Sequence, residues 1–312
     1  MGKPFDIIVP IDTCIDLIVD CGKAVPEFQQ VEQFVEGYSF ELGGSCGIFA
    51  SGCAKLGLKT AGVGVVGDDL LGGLVKGLLG EAGVDTSYIR VDGNVKTSIG
   101  VSLVREGGDR AILASKGSIN SVGIHDFADG LLSQARHFHI GSYFLMRQLI
   151  EGYPALLEKA KGYGMTVSLD TNWDPENKWD GNLREVFKYT DFFFPNEREL
   201  LAIFGGSGVE EALAAAGRHI PVVAAKMGEK GAVACAGGET FAYAQEPVPV
   251  VDAIGAGDNF DAGFLYGYLN GLDTRECLKA GCLCGSASVA KAGGVGGQLY
   301  KEGLVALADK AP

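Results

Sequence analysis

The sequence predicts an α/β fold in which a doubly wound, mostly parallel sheet carries helices on both faces. Two observations predict it. From residue 121 to residue 225, short apolar runs alternate with segments of helical periodicity, the pattern of parallel strands joined by helices. Before that region, β-rich portions near residues 12–40 and 95–115 interrupt the alternation. We therefore expect a single α/β domain over residues 1–312, with a small β lid formed by these two insertions.

The N-terminal third of the chain supplies the first core elements. Apolar runs and periodic segments predict, in order, a strand at 5–9, a helix at 48–56, a strand at 60–66 and a helix ending near 79. Asp68 or Asp69 is expected to cap the second helix, because a short acidic side chain accepts hydrogen bonds from free N–H groups. Runs at 97–104 and 110–114 flank Arg-Glu-Gly-Gly-Asp, which is typical of a hairpin.

The remaining elements follow the alternation. Helices are predicted at 125–133, 147–162, 183–189, 197–204 and 209–218, and strands at 137–140, 165–170, 191–194 and 221–225. Runs at 232–235 and 241–244 flank a Gly-Gly pair and predict a second hairpin. A last strand at 247–251 leads into a glycine-rich turn and a helix from about residue 257 to 270.

Composition limits the function classes. The 312 residues include 26 basic and 39 acidic side chains, and the resulting net charge of −13 disfavours binding of a nucleic-acid backbone. We find no signal-sequence pattern and no apolar stretch of the ~18 residues that a membrane span needs, so a cytoplasmic protein without membrane contact is expected. The eight cysteines form no C-x-x-C pair, which favours buried thiols over a zinc site.

Two glycine clusters compete as phosphate sites. Gly62-Val-Gly64-Val-Val-Gly67 matches the dinucleotide motif G-x-G-x-x-G, and Asp85 follows it, which keeps a dinucleotide-dependent oxidoreductase as an alternative. However, valines separate these glycines, and helix-forming residues begin only after Gly67. The motif is therefore expected inside a strand rather than at a turn between a strand and a helix.

The second cluster, Asp252-Ala-Ile-Gly255-Ala-Gly257-Asp258, has the context that an anion site requires. It follows a predicted strand and opens a predicted helix, where free N–H groups and the helix dipole attract negative charge. The two glycines let the backbone approach a phosphoryl group closely. A carboxylate repels phosphate unless it has a chemical task, such as accepting a proton from an attacking hydroxyl, so Asp258 is the candidate general base.

At these residues the sequence resembles the PfkB/ribokinase family of sugar and nucleoside kinases. D-A-I-G-A-G-D-N-F-D-A-G-F from residue 252 and G-G-S-C-G-I-F-A from residue 43 are similar to its two signatures. N-E-R-E from residue 196 and K-M-G-E-K-G from residue 226 match further elements in family order. The resemblance implies a ribokinase-like fold with a small β lid, and an ATP-dependent kinase that phosphorylates an alcohol group of a sugar or sugar-like substrate.

The resemblance also implies roles for single residues of the second glycine cluster. Asp258 would take the proton from the acceptor hydroxyl as that hydroxyl attacks the γ-phosphate of ATP. The N–H groups around Gly255, Ala256 and Gly257 would form an anion hole for the transferring phosphoryl group. Family members often bind a monovalent cation beside this hole, which would place potassium near Asp252.

On the nucleotide side, the resemblance implies that Asn196 and Glu199 act on magnesium through ordered water, the metal offsetting phosphate charge. The same two residues have the spacing of a helix capping box, and both roles are compatible. Lys226, Gly228 and Gly231 would bind the nucleotide along its adenine and ribose.

On the acceptor side, Asp16 resembles the carboxylate with which the family grips two hydroxyls. Gly43 and Gly44 would allow the backbone to approach the sugar. Ser142 follows a predicted strand, at the edge where open α/β sheets bind ligands, and is a further candidate for substrate contact.

The sequence departs from the family pattern on this acceptor side. Cys14 and Ile48 replace asparagines that many sugar kinases carry, so ribose is not implied and a nucleoside kinase of the same fold stays an alternative. A non-catalytic sugar-binding protein is disfavoured because Asp258 is present. The stretches at 137–144 and 170–175 are either further site residues or buried strand. An exposed edge of the lid would favour pairing between subunits, which leaves a homodimer open.

Overall fold

The computed structural model describes residues 2–107 and 109–311. Within these ranges the strands are β1 (Phe5–Pro10), β2 (Cys14–Gly22), β3 (Gly37–Gly43), β4 (Thr60–Gly67), β5 (Ile89–Asp92), β6 (Ser98–Arg105), β7 (Arg110–Ala114), β8 (Ala135–Ile140), β9 (Thr166–Leu169), β10 (Phe192–Phe193), β11 (Val222–Lys226), β12 (Ala232–Ala236) and β13 (Glu239–Tyr243). The α-helices are α1 (Ser45–Lys55), α2 (Leu70–Glu81), α3 (Asp129–Leu132), α4 (Arg147–Ile150), α5 (Tyr153–Gly162), α6 (Leu183–Phe187), α7 (Glu197–Phe204), α8 (Val209–Ala216), α9 (Ala256–Leu269), α10 (Thr274–Ser288) and α11 (Lys301–Ala308).

The main sheet has helices on both faces, as predicted. Its strand order is β13-β12-β11-β10-β9-β8-β1-β4-β5, and neighbours from β11 to β5 are parallel, whereas β12 and β13 are antiparallel. Alternate residues of β1 enter opposite cores: Ile7 and Val9 pack with α1, α2, α9 and α10, whereas Ile8 packs with α3 to α8. The α/β doubly wound fold class is therefore confirmed.

A second sheet is built from the two segments predicted to be insertions. Its strand order is β3-β2-β6-β7, with β2 and β6 parallel and the outer pairs antiparallel. The β6–β7 hairpin has the bounds expected from the sequence to within one residue. The side chain of Arg110 on β7 reaches Asp252 of the main body at 3.1 Å, so this sheet lies against the loop before α9.

Two of the predicted helices are shorter than expected. The helix predicted at 125–133 is interrupted near residue 127, and the one predicted at 147–162 is divided between α4 and α5. In the second case Gly152 stands at the break, where an added Cβ would lie 1.8 Å from Ile124 Cδ1. The side chain of Ile124 can therefore pack this closely only against a glycine. The helix does not continue through this position.

The strand predicted at 247–251 is wrong. The segment has no strand pairing in the structure, and Val250 and Val251 are exposed. Pro247 and Pro249 explain this outcome, because a proline lacks the N–H group that a sheet ladder uses. The valines that suggested a buried strand instead form an irregular wall in front of α9.

The dinucleotide motif lies within a strand, as expected. Gly62, Gly64 and Gly67 all belong to β4, which runs between β1 and β5. An added Cβ at Gly62 would lie 2.9 Å from Ile11 Cγ1, so this glycine serves the packing of the sheet. This geometry removes the basis for the dinucleotide alternative.

The cysteines have no part in cross-linking. All eight are buried free thiols, and burial raises the pKa of those in α1 and α10, Cys53 being among the most affected. Among residues 2–107 and 109–311 we also find no helix with the length and apolar character that crossing a bilayer requires.

Candidate active site

The carboxyl ends of the central parallel strands meet the first turn of α9. Asp12 follows β1, Ser142 follows β8, Asp170 follows β9 and Lys226 ends β11, while Asp258 stands in the first turn of α9. Hydrogen bonds join these residues across the sheet edge, directly or through one neighbour. Because ligands of open α/β sheets bind outside the carboxyl ends of the strands, this edge is the candidate site.

A cavity of about 520 Å³ opens at this edge. Its walls are the start of α9 (residues 255–258), the Asn196–Glu199 pair, Lys226 and the irregular segment around residues 245–250. This volume is within the range of small-molecule and cofactor sites.

The backbone of the glycine cluster can hold an anion at the cavity wall. Gly255 is left-handed at φ +73°, and an added Cβ would lie 2.9 Å from Gly294 Cα and 3.0 Å from Ile48 Cγ2. Both the conformation and the space therefore require glycine. No side chain caps the start of α9, so its leading N–H groups and its dipole remain available to a negative group. Ile48, which replaces a family asparagine, packs behind this loop.

Asp258 is buried, and one side chain among the residues that the structure describes donates a hydrogen bond to it. It is 8% exposed, and its Oδ1 accepts a hydrogen bond from the Ser45 hydroxyl. Burial and then the Asp170 carboxylate raise the pKa of Asp258 to about 7, while the bond from Ser45 acts in the opposite direction. A carboxylate with a pKa near neutrality can accept a proton and is well matched to general base chemistry.

Lys226 lies beneath the same loop and is neutralised by carboxylates. Its Nζ is 2.6 Å from Asp170 Oδ2 and 3.2 Å from Asp261 Oδ1, and an added Cβ at Gly257 would be 3.2 Å from it. Although burial lowers the pKa of Lys226, the facing carboxylates raise it overall, and Lys226 keeps the pKa of Asp170 low despite burial. Lys226 borders the cavity together with Asp170, and its Nζ is paired with Asp170 and with Asp261.

Asn196 and Glu199 form the expected capping box at the start of α7. Each side chain accepts the other's backbone N–H, at 3.0 and 2.9 Å. Burial, followed by Asp170, raises the pKa of Glu199 to about 7. Among the described residues no three His, Cys, Asp or Glu side chains gather as a metal cluster. Magnesium bound with a nucleotide usually takes one or two carboxylates together with phosphate oxygens and water, and Glu199 at the cavity wall fits that role.

The two glycines of the K-M-G-E-K-G stretch have different surroundings. Gly228, at φ +61°, borders the cavity with open space where a side chain would be. At Gly231 an added Cβ would lie 2.0 Å from the Tyr243 carbonyl oxygen, so this glycine lets the β12–β13 hairpin pass close by.

Asp16 stands on β2 between two glycines of the neighbouring strands. An added Cβ would lie 2.7 Å from its Cγ at Gly43 and 2.5 Å from its Oδ1 at Gly100. Glu41 is its register partner on β3 and approaches Gly293, beyond α10. Burial and then Glu41 raise the pKa of Asp16. No ion pair found among the described residues includes either carboxylate, so this face of the second sheet is acidic.

Behind the cavity, Asp12 fixes the start of α1. It accepts the N–H groups of Ser45 and Cys46, both at 3.0 Å, and a hydrogen bond from the Ser142 hydroxyl. Gly44, at φ +78°, must lack a Cβ, which would be 2.4 Å from the Asp12 carbonyl oxygen. Ser142 is buried and its hydroxyl is used by Asp12, so it reaches the site through Asp12 rather than directly.

Sequence reasoning missed Asp12 and Ser45 as site residues. Asn172, in one of the stretches left open, also belongs to the site, because its Oδ1 accepts the Ser142 N–H at 2.7 Å and its Nδ2 lies 3.2 Å from Ser45 Oγ. Asn172 and Ser142 both have positive φ, at 53° and 49°. Such strained residues concentrate at functional sites, but no local motif announces them.

Two other candidates have different surroundings from those expected. Asp252 accepts Arg110 at 3.1 Å and the N–H groups of Ile254 and Gly293, so a guanidinium already faces the carboxylate that we assigned to potassium. The histidines of the 137–144 stretch are buried strand residues that bond to Ser168, and burial lowers the pKa of His139 to about 3.

Comparison with known proteins gives consistent matches over nearly the whole chain. Residues 8–298 match the family model described as pfkB family carbohydrate kinase. It is 31% identical over 248 residues to an uncharacterized sugar kinase of Archaeoglobus fulgidus, covering 78% of this chain and 96% of that one. It is 29% identical over 257 residues to an ATP-dependent ribose-1-phosphate kinase of Halopiger xanaduensis, covering 80% and 81%. A putative ribokinase II of E. coli in complex with ATP and Mg²⁺ has the same fold, with a TM-score of 0.86, 22% identity and coverage of 98% and 99%.

Proposed function

The chain belongs to the pfkB family of carbohydrate kinases, and we propose that it transfers the γ-phosphate of ATP to an alcohol group of a sugar or sugar-like substrate. The observation that carries this proposal is the placement of Asp258. Its buried carboxylate stands in the first turn of α9, directly after a glycine loop suited to an anion and at the wall of the cavity.

The proposed reaction divides between this carboxylate and the backbone. Asp258 accepts the proton of the acceptor hydroxyl while the oxygen bonds to the γ-phosphorus. The bond from that phosphorus to the bridging oxygen breaks, and ADP leaves with the electron pair. The N–H groups of Gly255, Ala256 and Gly257 stabilise the charge on the phosphoryl oxygens during transfer.

The nucleotide would occupy the cavity beside this loop. Magnesium bound to its phosphates would neutralise part of their charge, and Asn196 and Glu199 would hold the metal through water. Gly228 leaves open space along the cavity for the nucleoside, whereas Gly231 acts by shaping the hairpin behind it. Lys226 would act through Asp170 and the loop above it rather than by direct contact.

The acceptor would bind between the main body and the second sheet, which we propose closes as a lid and excludes water. Asp16 would bind acceptor hydroxyls, with Gly43 and Gly44 leaving room for the sugar. Because Asp16 and Glu41 face each other and no cation pairs with them within residues 2–107 and 109–311, we propose that the acceptor carries no phosphate or carboxylate at this point. Neutral polyols, and those bearing an amine, fit this charge.

Replacing Gly100 with Ala tests the role of Asp16 without removing it. The new Cβ would overlap Asp16 Oδ1, so the carboxylate must move, and kcat/KM for the acceptor should fall by about 10²-fold, the effect of a misplacement near 1 Å. The KM for ATP should stay unchanged. Gly77→Ala, in open space on α2, is the matched control and should leave both constants unchanged. Equal losses for acceptor and ATP would contradict the assignment.

The substrate is found by measuring ADP release from magnesium-ATP across neutral sugars, amino sugars, sugar acids, sugar phosphates and nucleosides. We expect one uncharged or cationic acceptor to raise the rate far above background, and sugar phosphates to remain near background. Each assay is run with and without potassium, which tests the site assigned to Asp252. The Glu41→Gln variant should improve the kcat/KM of anionic acceptors relative to neutral ones.

Three results would contradict parts of this proposal in separable ways. Failure to bind ATP would overturn the phosphate-loop assignment itself. A sugar phosphate as the best acceptor would leave the kinase assignment intact and overturn the charge argument drawn from Asp16 and Glu41. A nucleoside as the best acceptor would identify the nucleoside kinase alternative.

A further inference from the structure

We infer that Ser45 is the positioning residue of the base: its hydroxyl holds Asp258 Oδ1 and leaves Oδ2 facing the cavity for the acceptor hydroxyl. This inference rests on the proposed function. Among the described residues, Ser45 donates the only hydrogen bond to the Asp258 side chain, and that bond is to Oδ1. Asp258 itself borders the cavity, so its second oxygen is the one a substrate can meet.

The structure fixes Ser45 from three sides. Its N–H is bonded to Asp12 at 3.0 Å, and its hydroxyl lies between Asp258 and Asn172, 3.3 Å from Asn172 Oδ1. Asn172 is held in turn by the N–H of Ser142. A serine in the first turn of a helix ordinarily faces solvent or its own backbone, whereas this one is aimed at a carboxylate 213 positions away.

The hydrogen bond has a chemical consequence for proton transfer. A hydroxyl donor stabilises a carboxylate more than it stabilises a neutral carboxyl group, because bonds to charged acceptors are stronger. Ser45 therefore opposes the burial of Asp258 and keeps the base ionised at lower pH. It also orients the carboxylate, since a group held at one oxygen presents the other in a fixed direction.

Other ionisable groups near Asp258 also influence its pKa. They are Asp170 after β9, Lys226 at the end of β11, Asp12 after β1, Cys46 on α1 and Asp261 on α9. Asp170 and Lys226 act in opposite directions on the base and are paired with each other. A Ser45→Ala change alters none of these charges, so a shift in the pH profile reports the hydroxyl.

The test compares Ser45→Ala with Ser51→Ala by the pH dependence of kcat/KM. Ser51 is the matched control, because it is buried in the same helix and donates to Gln298 at 2.7 Å rather than to Asp258. The acid limb is the part of the pH profile in which kcat/KM rises as the base becomes ionised. We expect Ser45→Ala to move this limb to higher pH by about one unit, because that shift corresponds to the free energy of a hydrogen bond to a charged group. Relative to wild type, its rate at pH 6 should thus fall about tenfold further than its rate at pH 9, where a remaining loss reports the orientation of the carboxylate alone.

The remaining variants separate this role from a structural one. Ser45→Thr keeps the hydroxyl and should restore the wild-type limb. A limb that stays in place in Ser45→Ala, or moves equally in Ser51→Ala, would overturn the inference. An active Asp258→Asn protein would instead overturn the proposed base, so the two failures are distinguishable.

Discussion

Replacing Asp258 with Asn is expected to lower kcat by about 10²–10⁴-fold, the usual contribution of a general base, while the protein still binds ATP. Asparagine keeps the size of the side chain and can accept the hydrogen bond from Ser45, but it cannot take up the acceptor proton. ATP binding is measured by calorimetry and the transfer step by single-turnover kinetics. Asp273→Asn, an exposed helix cap on α10, is the control and should keep wild-type kcat.

The pH profile extends this prediction. Because the pKa of Asp258 is raised to about 7, the base becomes ionised as the pH rises through 7, so wild-type kcat/KM should increase over that interval. The asparagine variant should lose this limb. A variant with kcat within about tenfold of wild type, or with the limb intact, would mean that another group accepts the proton.

Replacing Lys226 with Met should cause the largest loss of stability. It leaves Asp170 and Asp261 buried without their cation, and breaking a buried ion pair in this way costs about 3–5 kcal/mol. Methionine fills most of the same volume, so the loss reports charge rather than a cavity. The free energy of unfolding is measured by urea titration near neutral pH.

The sign of the pH effect follows from Asp170. In the wild type Lys226 lowers the pKa of Asp170 although burial raises it, so the pair stabilises the native state above about pH 4, and this contribution is lost as the pH falls further. In the variant the native carboxyl groups retain protons that the unfolded chain releases. Its stability should therefore decrease, relative to wild type, as the pH rises from about 5 to about 8.

Two further variants make this result specific. Lys230→Met removes an exposed charge a few residues away and should leave stability unchanged. Asp170→Asn combined with Lys226→Met removes both members of the Lys226–Asp170 pair, leaves only Asp261 without its cation, and should recover part of the loss. If the stability that Lys226→Met loses relative to wild type is the same at about pH 5 and about pH 8, packing rather than charge determines the role of Lys226.

The parts of the site that lie in one continuous stretch could be predicted from the sequence. The glycine loop and Asp258 are close in the chain, and the positive φ of Gly255 follows from the motif itself. The support around them could not be predicted, because Asp12, Ser45 and Asn172 come from different strand ends. Their contacts depend on the order of strands in the sheet, which local patterns do not contain.

Local patterns also fail to predict helix α10. α10 is rich in small residues, which weakens its local helical signal. In the structure small residues on both helices permit close packing: an added Cβ at Gly281 of α10 would lie 2.9 Å from the Phe260 ring, and one at Gly263 of α9 would lie 2.5 Å from the Ala280 carbonyl oxygen. Tertiary packing against α9 therefore stabilises a helix that its own propensity does not predict.

Because all eight thiols are buried, their reactivity can be used to measure local opening of the structure. A thiol reagent reacts with the thiolate, and burial hides all eight sulfur atoms and raises the pKa of thiols such as Cys46 and Cys282. Labelling therefore requires that a segment open first, and its rate under native conditions ranks local stabilities. Cys46 lies one residue beyond Ser45, whereas Cys282 lies in α10 behind the loop. The order in which these two react would report whether the acceptor side or the nucleotide side of the molecule opens more readily.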